Sequence, residues 1–347
     1  MTTCVSGEKE KRAARRAVTR LFPCLVGDVG GTNARFAIET APGRFAAMAR
    51  LPVKNFSNFG EALRFYLKQP ASVTAGSPSV RTAAVAIANP LDGDRVKMTN
   101  SDWAFSVDGV RKAFGLDVFL LVNDFTALAM SLPFLPADSL IQCGGGTRVP
   151  GKAIGLIGAG TGLGVSGLVP SGEYWVPLET EGGHVSFSPA NDLEMEILRQ
   201  TKKRYDHVSA ERLISGMGLE WLYVLLAEME GMHVAPLKAS DITGRALTGA
   251  DRLCDRVVEV FCQMLGTAAG NLALTLGARG GIFIGGGIVP HLKERFFTSG
   301  FRKRFEEKGR FSEYVSKIPV FVIKDTFAAF TGVSILMDRY FESLLSI

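Results

Sequence analysis

The 347-residue chain is poor in the residues that build metal sites and covalent cross-links, with 4 histidines and 5 cysteines. Cys4, Cys24, Cys143, Cys254 and Cys262 are scattered, and no two have the spacing of a zinc knuckle or a redox pair. An odd set of isolated thiols argues against a disulfide framework and fits a reducing compartment. Cys254 and Cys262 fall in DRLCDRVVEVFCQMLG, whose helical period marks both as packing residues. No apolar run reads as long enough to span a bilayer, and no short tandem repeat suggests a solenoid or propeller. A dominant charge is missing too: 39 basic residues against 34 acidic leave a formal net charge of +5. Much of that excess sits in Lys9, Lys11, Arg12, Arg15 and Arg16, so no nucleic-acid footprint is indicated.

What is there is ordinary globular composition, 47% hydrophobic and 21% charged, enough for two domains with cores of their own. The basic stretch at 8–16 followed by LFPCLVG opens like a signal peptide, but Asp28 cuts the apolar run short. Residues 1–23 are therefore expected to form a disordered, solvated extension.

Two segments share one pattern, an apolar strand, a glycine-rich turn and a second strand. They are CLVGDVGGTNARFAIE (24–39) and AIGLIGAGTGLGVSGLV (153–169). Strand-like runs at Ala83–Ala88, Val118–Val122 and Gly281–Ile284 alternate with helical stretches at Phe59–Leu67, 210–229, 251–276 and roughly Phe327–Leu345. That alternation argues an α/β architecture. The expected division is a small α/β domain of residues 24–134 plus 326–347 and a large one of residues 135–325.

Two matches to phosphate motifs fail on context. Gly146 to Lys152 nearly spells a P-loop, but Ala153 stands where a magnesium-binding hydroxyl belongs and a strand follows instead of a helix. Gly162 to Gly167 fits a dinucleotide fingerprint but also runs from strand to strand. The turn Asp28-Val29-Gly30-Gly31-Thr32 is stronger. Its glycines let backbone amides approach an anion, and Asp28 ends a strand where it can hold a water of a Mg²⁺ shell. An ordinary hairpin would use the same residues. Gly158 to Gly164 and Gly285-Gly286-Gly287 carry the same two readings, room for a nucleotide or close packing of backbone.

In that order these turns resemble the actin-like/hexokinase ATPase superfamily. With MTNSDWAFS (98–106), VNDFTA (122–127), IGAGTGLGV (157–165), EGGHVSF (181–187), HVSAERLISGMGL (207–219), GNLAL (270–274), FIGGGIVP (283–290) and EKGRF (307–311), the series is similar to the bacterial glucokinase family. The chain lacks the cysteine-rich zinc motif of the related repressor/kinase branch, so no structural zinc is expected. Asp325 to Gly332 lacks glycines expected where the last helix begins. The resemblance implies two actin-like ATPase (ribonuclease H-like) domains around a central cleft. It also implies ATP with Mg²⁺, D-glucose phosphorylated at the 6-hydroxyl, a cytoplasmic location and a homodimer.

For the residues, the resemblance makes Asp124 the general base, where an N-cap is the plain alternative. It makes Asn100, Asn123, Glu181, His184 and Glu211 sugar ligands beside Asp124. Gly27, Asp28, Val29, Gly30, Gly31, Thr32, Gly160, Thr161, Gly162, Gly286 and Gly287 become the ATP site, with Asp28 toward Mg²⁺ through water. Carboxylates and amides around one polyol reject analogues lacking its hydroxyls, because their own polar atoms would be left unpaired. Two other functions share these residues, a kinase for another hexose or amino sugar and a sugar-sensing regulator. The roughly twenty residues before the first strand are too few for the helix-turn-helix that such a regulator needs.

Overall fold

The computed structural model describes residues 20–345 apart from Pro90, Asp92, Thr99 and Asn100. Within them the chain divides into two units: unit 1 runs to Leu135 and resumes at Thr326, and unit 2 is Pro136–Asp325.

Unit 1 is built on a five-stranded sheet of β1 (Cys24–Val29), β2 (Asn33–Ala41), β3 (Arg44–Pro52), β4 (Thr82–Ile87) and β7 (Val118–Asn123), in the order β3-β2-β1-β4-β7. The short strands β5 (Arg95–Lys97) and β6 (Ala104–Ser106) pair separately. β1, β4 and β7 are parallel and read as near-continuous apolar runs because both faces are covered. An aromatic cluster of Phe36, Phe59, Tyr66, Phe105 and Phe119 fills one side, with Phe59 and Phe105 stacked at 4.7 Å. On this sheet the helix Ala328–Leu345 packs against β1, β4 and the helix Asp124–Ser131.

Residues 1–19 of the expected disordered extension lie outside the described residues. Residues 20–23 are instead part of unit 1. Glu39 is fully buried and would be an uncompensated charge alone. The Arg20 guanidinium pairs with it, and also bonds Ser334 Oγ at 3.1 Å and Asp338 at 2.7 Å, while Ser334 Oγ donates to Glu39 at 2.7 Å.

Unit 2 repeats the plan. Its sheet has the order β11-β10-β9-β12-β13-β8, from β8 (Leu140–Cys143), β9 (Ile154–Ala159), β10 (Leu163–Ser171), β11 (Tyr174–Leu178), β12 (Ile282–Gly285) and β13 (Val320–Ile323). As in unit 1, two antiparallel hairpin partners precede a central strand that is followed by two parallel neighbours. The central helix Arg252–Leu276 begins at an Asp251 cap accepting from Leu253 and Cys254 and ends at Gly277 in the left-handed region. Cys254 and Cys262 are both fully buried on it.

Two expectations are corrected here. The 25-residue helix Arg252–Leu276 contains an 18-residue stretch of mean hydropathy 1.4, long and apolar enough to cross a bilayer by composition. Its four charges, Arg252, Asp255, Arg256 and Glu259, all lie in the first eight residues and hid this in the sequence, and 67% of its apolar window is buried, as suits a core helix. The helix expected over 210–229 begins only at Gly216, where the Ser215 hydroxyl accepts from Gly218 at 3.1 Å. Ala210–Arg212 form a separate 3-10 turn, tied away by a bond from Ala210 N–H to the Val185 carbonyl at 2.8 Å.

Candidate active site

In unit 1 the candidate groups stand along one edge of the sheet. Register sets Val29 beside Ile87 and Ile87 beside Asn123, so the β1–β2 turn and the start of the helix Asp124–Ser131 lie in one row. That row is at the carboxyl ends of β1, β4 and β7, two strand spacings wide or about 10 Å. Open α/β sheets place ligands at such ends.

The N-cap of the helix is Asn123, whose Oδ1 accepts from Phe125 N–H at 3.0 Å and Thr126 N–H at 3.1 Å. Asp124 is the first helical residue, and its Oδ1 accepts from Phe125 N–H at 2.9 Å. Capping therefore explains Asn123 more fully than Asp124. The Asn123 amide hydrogens have no partner among the described residues and remain for a ligand hydroxyl.

In the turn, Gly30 N–H donates to the Asn33 carbonyl at 3.0 Å, and Val53 N–H donates to the Thr32 carbonyl at 2.9 Å. Asp28 faces Arg35 across the hairpin register and accepts from its guanidinium at 2.7 Å. Burial pushes the Asp28 carboxyl above its usual value, and Arg35 offsets part of that. Arg35 was not singled out in the sequence, although the pairing follows from the two positions flanking a two-strand turn. Gly27 and Val29 lie buried within β1, and a Cβ at Gly27 would come within 3.0 Å of the Phe36 ring, so packing already accounts for that glycine.

In unit 2 the glycines divide by surroundings. A Cβ at Gly158 would lie 2.6 Å from the Gly285 carbonyl carbon, and one at Gly286 would strike the Ala159 carbonyl, so these two permit close passage of β9 beside β12. Gly160 and Gly287 have nothing within 4 Å of such a Cβ and stand open to a ligand. A Cβ at Gly162 would collide with the Glu211 carboxylate. The turn carrying Thr161 is closed by Gly160 N–H to the Gly162 carbonyl at 2.8 Å, and held from behind by Gly216 N–H to the Gly160 carbonyl at 2.9 Å.

Glu181, His184 and Glu211 come together. His184 stands 3.9 Å from Glu181 and 4.0 Å from Glu211, although Glu211 is distant in sequence. The loop bearing His184 is pinned to that bearing Glu211 by Phe187 N–H to the Val208 carbonyl at 2.9 Å and by the Ala210–Val185 bond. Glu181 and His184 are exposed and Glu211 half-buried, as suits groups that meet a small polyol. Asn100 lies outside the described residues.

Among the described residues no three histidine, cysteine or carboxylate side chains cluster to hold a metal. Asp28, the carboxylate at the β1–β2 turn, has the chemistry to touch a hydrated Mg²⁺, an ion that keeps most of its waters and needs few protein ligands.

The glucokinase family model matches residues 25–340. The chain is 51% identical over 313 residues to the glucokinase of Chromobacterium violaceum, covering 90% of this chain and 88% of that one. It is similar to the crystal structure of a glucokinase from an Antarctic psychrotroph at TM-score 0.79 and 35% identity, over 92% of this chain and all of the other. It shares the fold of a Streptomyces griseus ROK-family glucokinase bound to glucose and AMPPNP at TM-score 0.61 and 18% identity, over 91% of this chain and 99% of that one. With both units repeating one ATPase-like sheet plan and these relatives matched nearly end to end, the chain belongs to the glucokinase family.

Proposed function

We propose that this enzyme transfers the γ-phosphoryl group of MgATP to the 6-hydroxyl of D-glucose, with Asp124 as general base. The observation that carries the assignment is the row Val29–Ile87–Asn123, which sets a glycine turn and a strand-end aspartate on one sheet edge. Phosphoryl transfer asks little covalent chemistry of a protein, and mainly positioning, charge stabilisation and a dry site. Asp124 takes the proton from the 6-hydroxyl as that oxygen bonds to phosphorus and the bond to the ADP oxygen breaks. Asn123 supplies the helix cap through the Phe125 and Thr126 amides, and the Asp124 carboxylate, which also accepts from Phe125 N–H, serves as base.

In this reading Asn123, Glu181, His184 and Glu211 hold the sugar hydroxyls, with Asn100 as a further ligand. The Gly30–Thr32 and Gly160–Gly162 turns and Gly287 take the nucleotide through backbone amides. Mg²⁺ would neutralise charge on the phosphates, with Asp28 holding one of its waters. The psychrotroph and Chromobacterium proteins carry the glucokinase name, and the Streptomyces structure holds glucose with a nucleotide analogue, which supports both substrates here. The cytoplasmic location and homodimer belong to this reading through family resemblance alone.

The test is ADP formation across glucose, mannose, fructose and N-acetylglucosamine, with ATP and polyphosphate compared as donors. Glucose with ATP should give the highest kcat/KM. A preference for another sugar would transfer the assignment to that hexose, and sugar binding without ADP formation would make the chain a sensor.

A further inference from the structure

The segment EKGRF (307–311) is not used by the proposed reaction, and its side chains divide between two tasks. Lys308 Nζ donates to the Thr267 carbonyl at 3.1 Å and Asn271 Oδ1 at 2.8 Å, which ties the segment to the helix Arg252–Leu276. Arg310 and Phe311 then line a cavity of about 750 Å³ with Gly146, Thr147, Arg279, Tyr314 and Lys317 among others.

That cavity lies at the wrong end of unit 2 to belong to the nucleotide turns. Its walls are residues that enter strands: Val149 before β9, Arg279 before β12 and Ile318 before β13. The glycine turns sit at the exits of β9 and β12, about 20 Å away along a six-residue strand. The walls are fixed by backbone bonds, Thr147 N–H to the Lys317 carbonyl at 3.3 Å and Val149 N–H to the Arg279 carbonyl at 2.9 Å.

The charge in these walls is unbalanced. Among the described residues no carboxylate pairs with Arg279 or Arg310, the two lining arginines. The one lining carboxylate, Glu313, is occupied by Lys317 at 2.7 Å. Phe311 is 47% exposed beside these cations and Tyr314 adds a second ring. Unpaired guanidinium forks match phosphate oxygens, and exposed rings match the flat face of a base or the C–H face of a sugar. The volume suits a ligand of nucleotide size.

We infer that this cavity is a second ligand site, remote from the phosphoryl-transfer groups, for a small phosphate-bearing molecule. The inference is independent of the proposed reaction. The test is calorimetric titration of AMP, glucose 6-phosphate and inorganic pyrophosphate into the full chain in saturating glucose and AMPPNP. Wild type is compared with Arg310→Ala, the double variant Arg279→Ala/Arg310→Ala, and Phe311→Leu. At least one probe should bind with a Kd of about 1 mM or tighter, and the double variant should weaken it about tenfold or more. AMP as the tightest probe, weakened by Phe311→Leu, identifies a nucleotide ligand, glucose 6-phosphate a sugar phosphate, and pyrophosphate alone a bare phosphate group. ADP formation without added probe should be unchanged in Arg310→Ala, which reads the cavity separately from catalysis. Absence of binding by all three probes, or binding unaltered in the double variant, overturns the site.

Discussion

One carboxylate oxygen of Glu211 accepts from Leu163 N–H at 2.9 Å while the other stands 4.0 Å from His184 Nδ1. A single side chain thus braces the Gly160–Gly162 turn and faces the loop that bears Glu181 and His184. Glu211→Ala should raise KM for glucose and for ATP together, with kcat/KM falling roughly 10- to 100-fold, the worth of a charged hydrogen bond. Glu211→Gln keeps an acceptor for Leu163 and should spare the ATP KM while still weakening glucose. Steady-state kinetics with each substrate varied checks both.

Asp124→Asn should lower kcat by roughly 10²- to 10⁴-fold, the usual share of a general base. Its melting temperature should stay near wild type, because Asn123 supplies the helix cap. Asn123→Ala should do the reverse in stability, losing about 1 kcal/mol with the cap. Paired thermal melts and turnover assays separate the two residues.

The glycines of unit 2 invite a contrast. Gly160→Ala meets no atom within 4 Å, so the fold should be untouched while the ATP KM rises about tenfold if the turn contacts phosphate. Gly158→Ala drives a methyl against the Gly285 backbone and should cost about 1–3 kcal/mol or more. A Gly160→Ala enzyme with unchanged ATP KM would remove that turn from the nucleotide site.

A Cβ at Gly332 would collide with the Ala127 carbonyl and lie 3.2 Å from Ser131 N, both on the helix that starts with Asp124. Gly332→Ala should therefore lower the melting temperature by several degrees, an overpacking cost of about 1–3 kcal/mol. It should also lower kcat, since the base is carried on the displaced helix. A stability loss with full kcat would mean that Asp124 tolerates the shift.

Burial pushes the Cys262 thiol from 9.0 up to about 12. A folded value above the unfolded one stabilises the protein below pH 9, and that contribution is lost as pH rises toward 12. Between those limits the loss approaches about 1.4 kcal/mol per pH unit. Melting temperature should fall from pH 9 to 11 less steeply in Cys262→Ser than in wild type, and the native thiol should resist Ellman's reagent at pH 8.

The inner strands β1, β2, β4, β7, β9, β10 and β12 and their glycine turns were legible because glycine, aspartate and apolar runs punctuate them locally, whereas β3, β8, β11 and β13 were not read. Phe59–Leu67 was read with its observed limits, since its cap and apolar face lie within the segment. Glu211 was misplaced at a helix start because the bond from Ala210 to Val185 joins residues far apart in sequence. Arg20 was assigned to a solvated tail for the same reason, as Glu39 and Ser334 give no local sign of needing it. Whether a glycine serves packing or a ligand was also closed to the sequence. Gly158 and Gly160 look alike there, and only the backbone of β12 tells them apart.

The helix Ala328–Leu345 completes a sheet whose strands are encoded some 200 residues earlier, and all of unit 2 is encoded between them. On the ribosome the first sheet therefore emerges with the face that this helix later covers still bare, and waits through most of synthesis for its last partner. Pro136–Asp325 is by contrast contiguous and can close as soon as it clears the exit tunnel. The insert is the first part of the nascent chain able to become native, and chaperone demand falls on the half that started first.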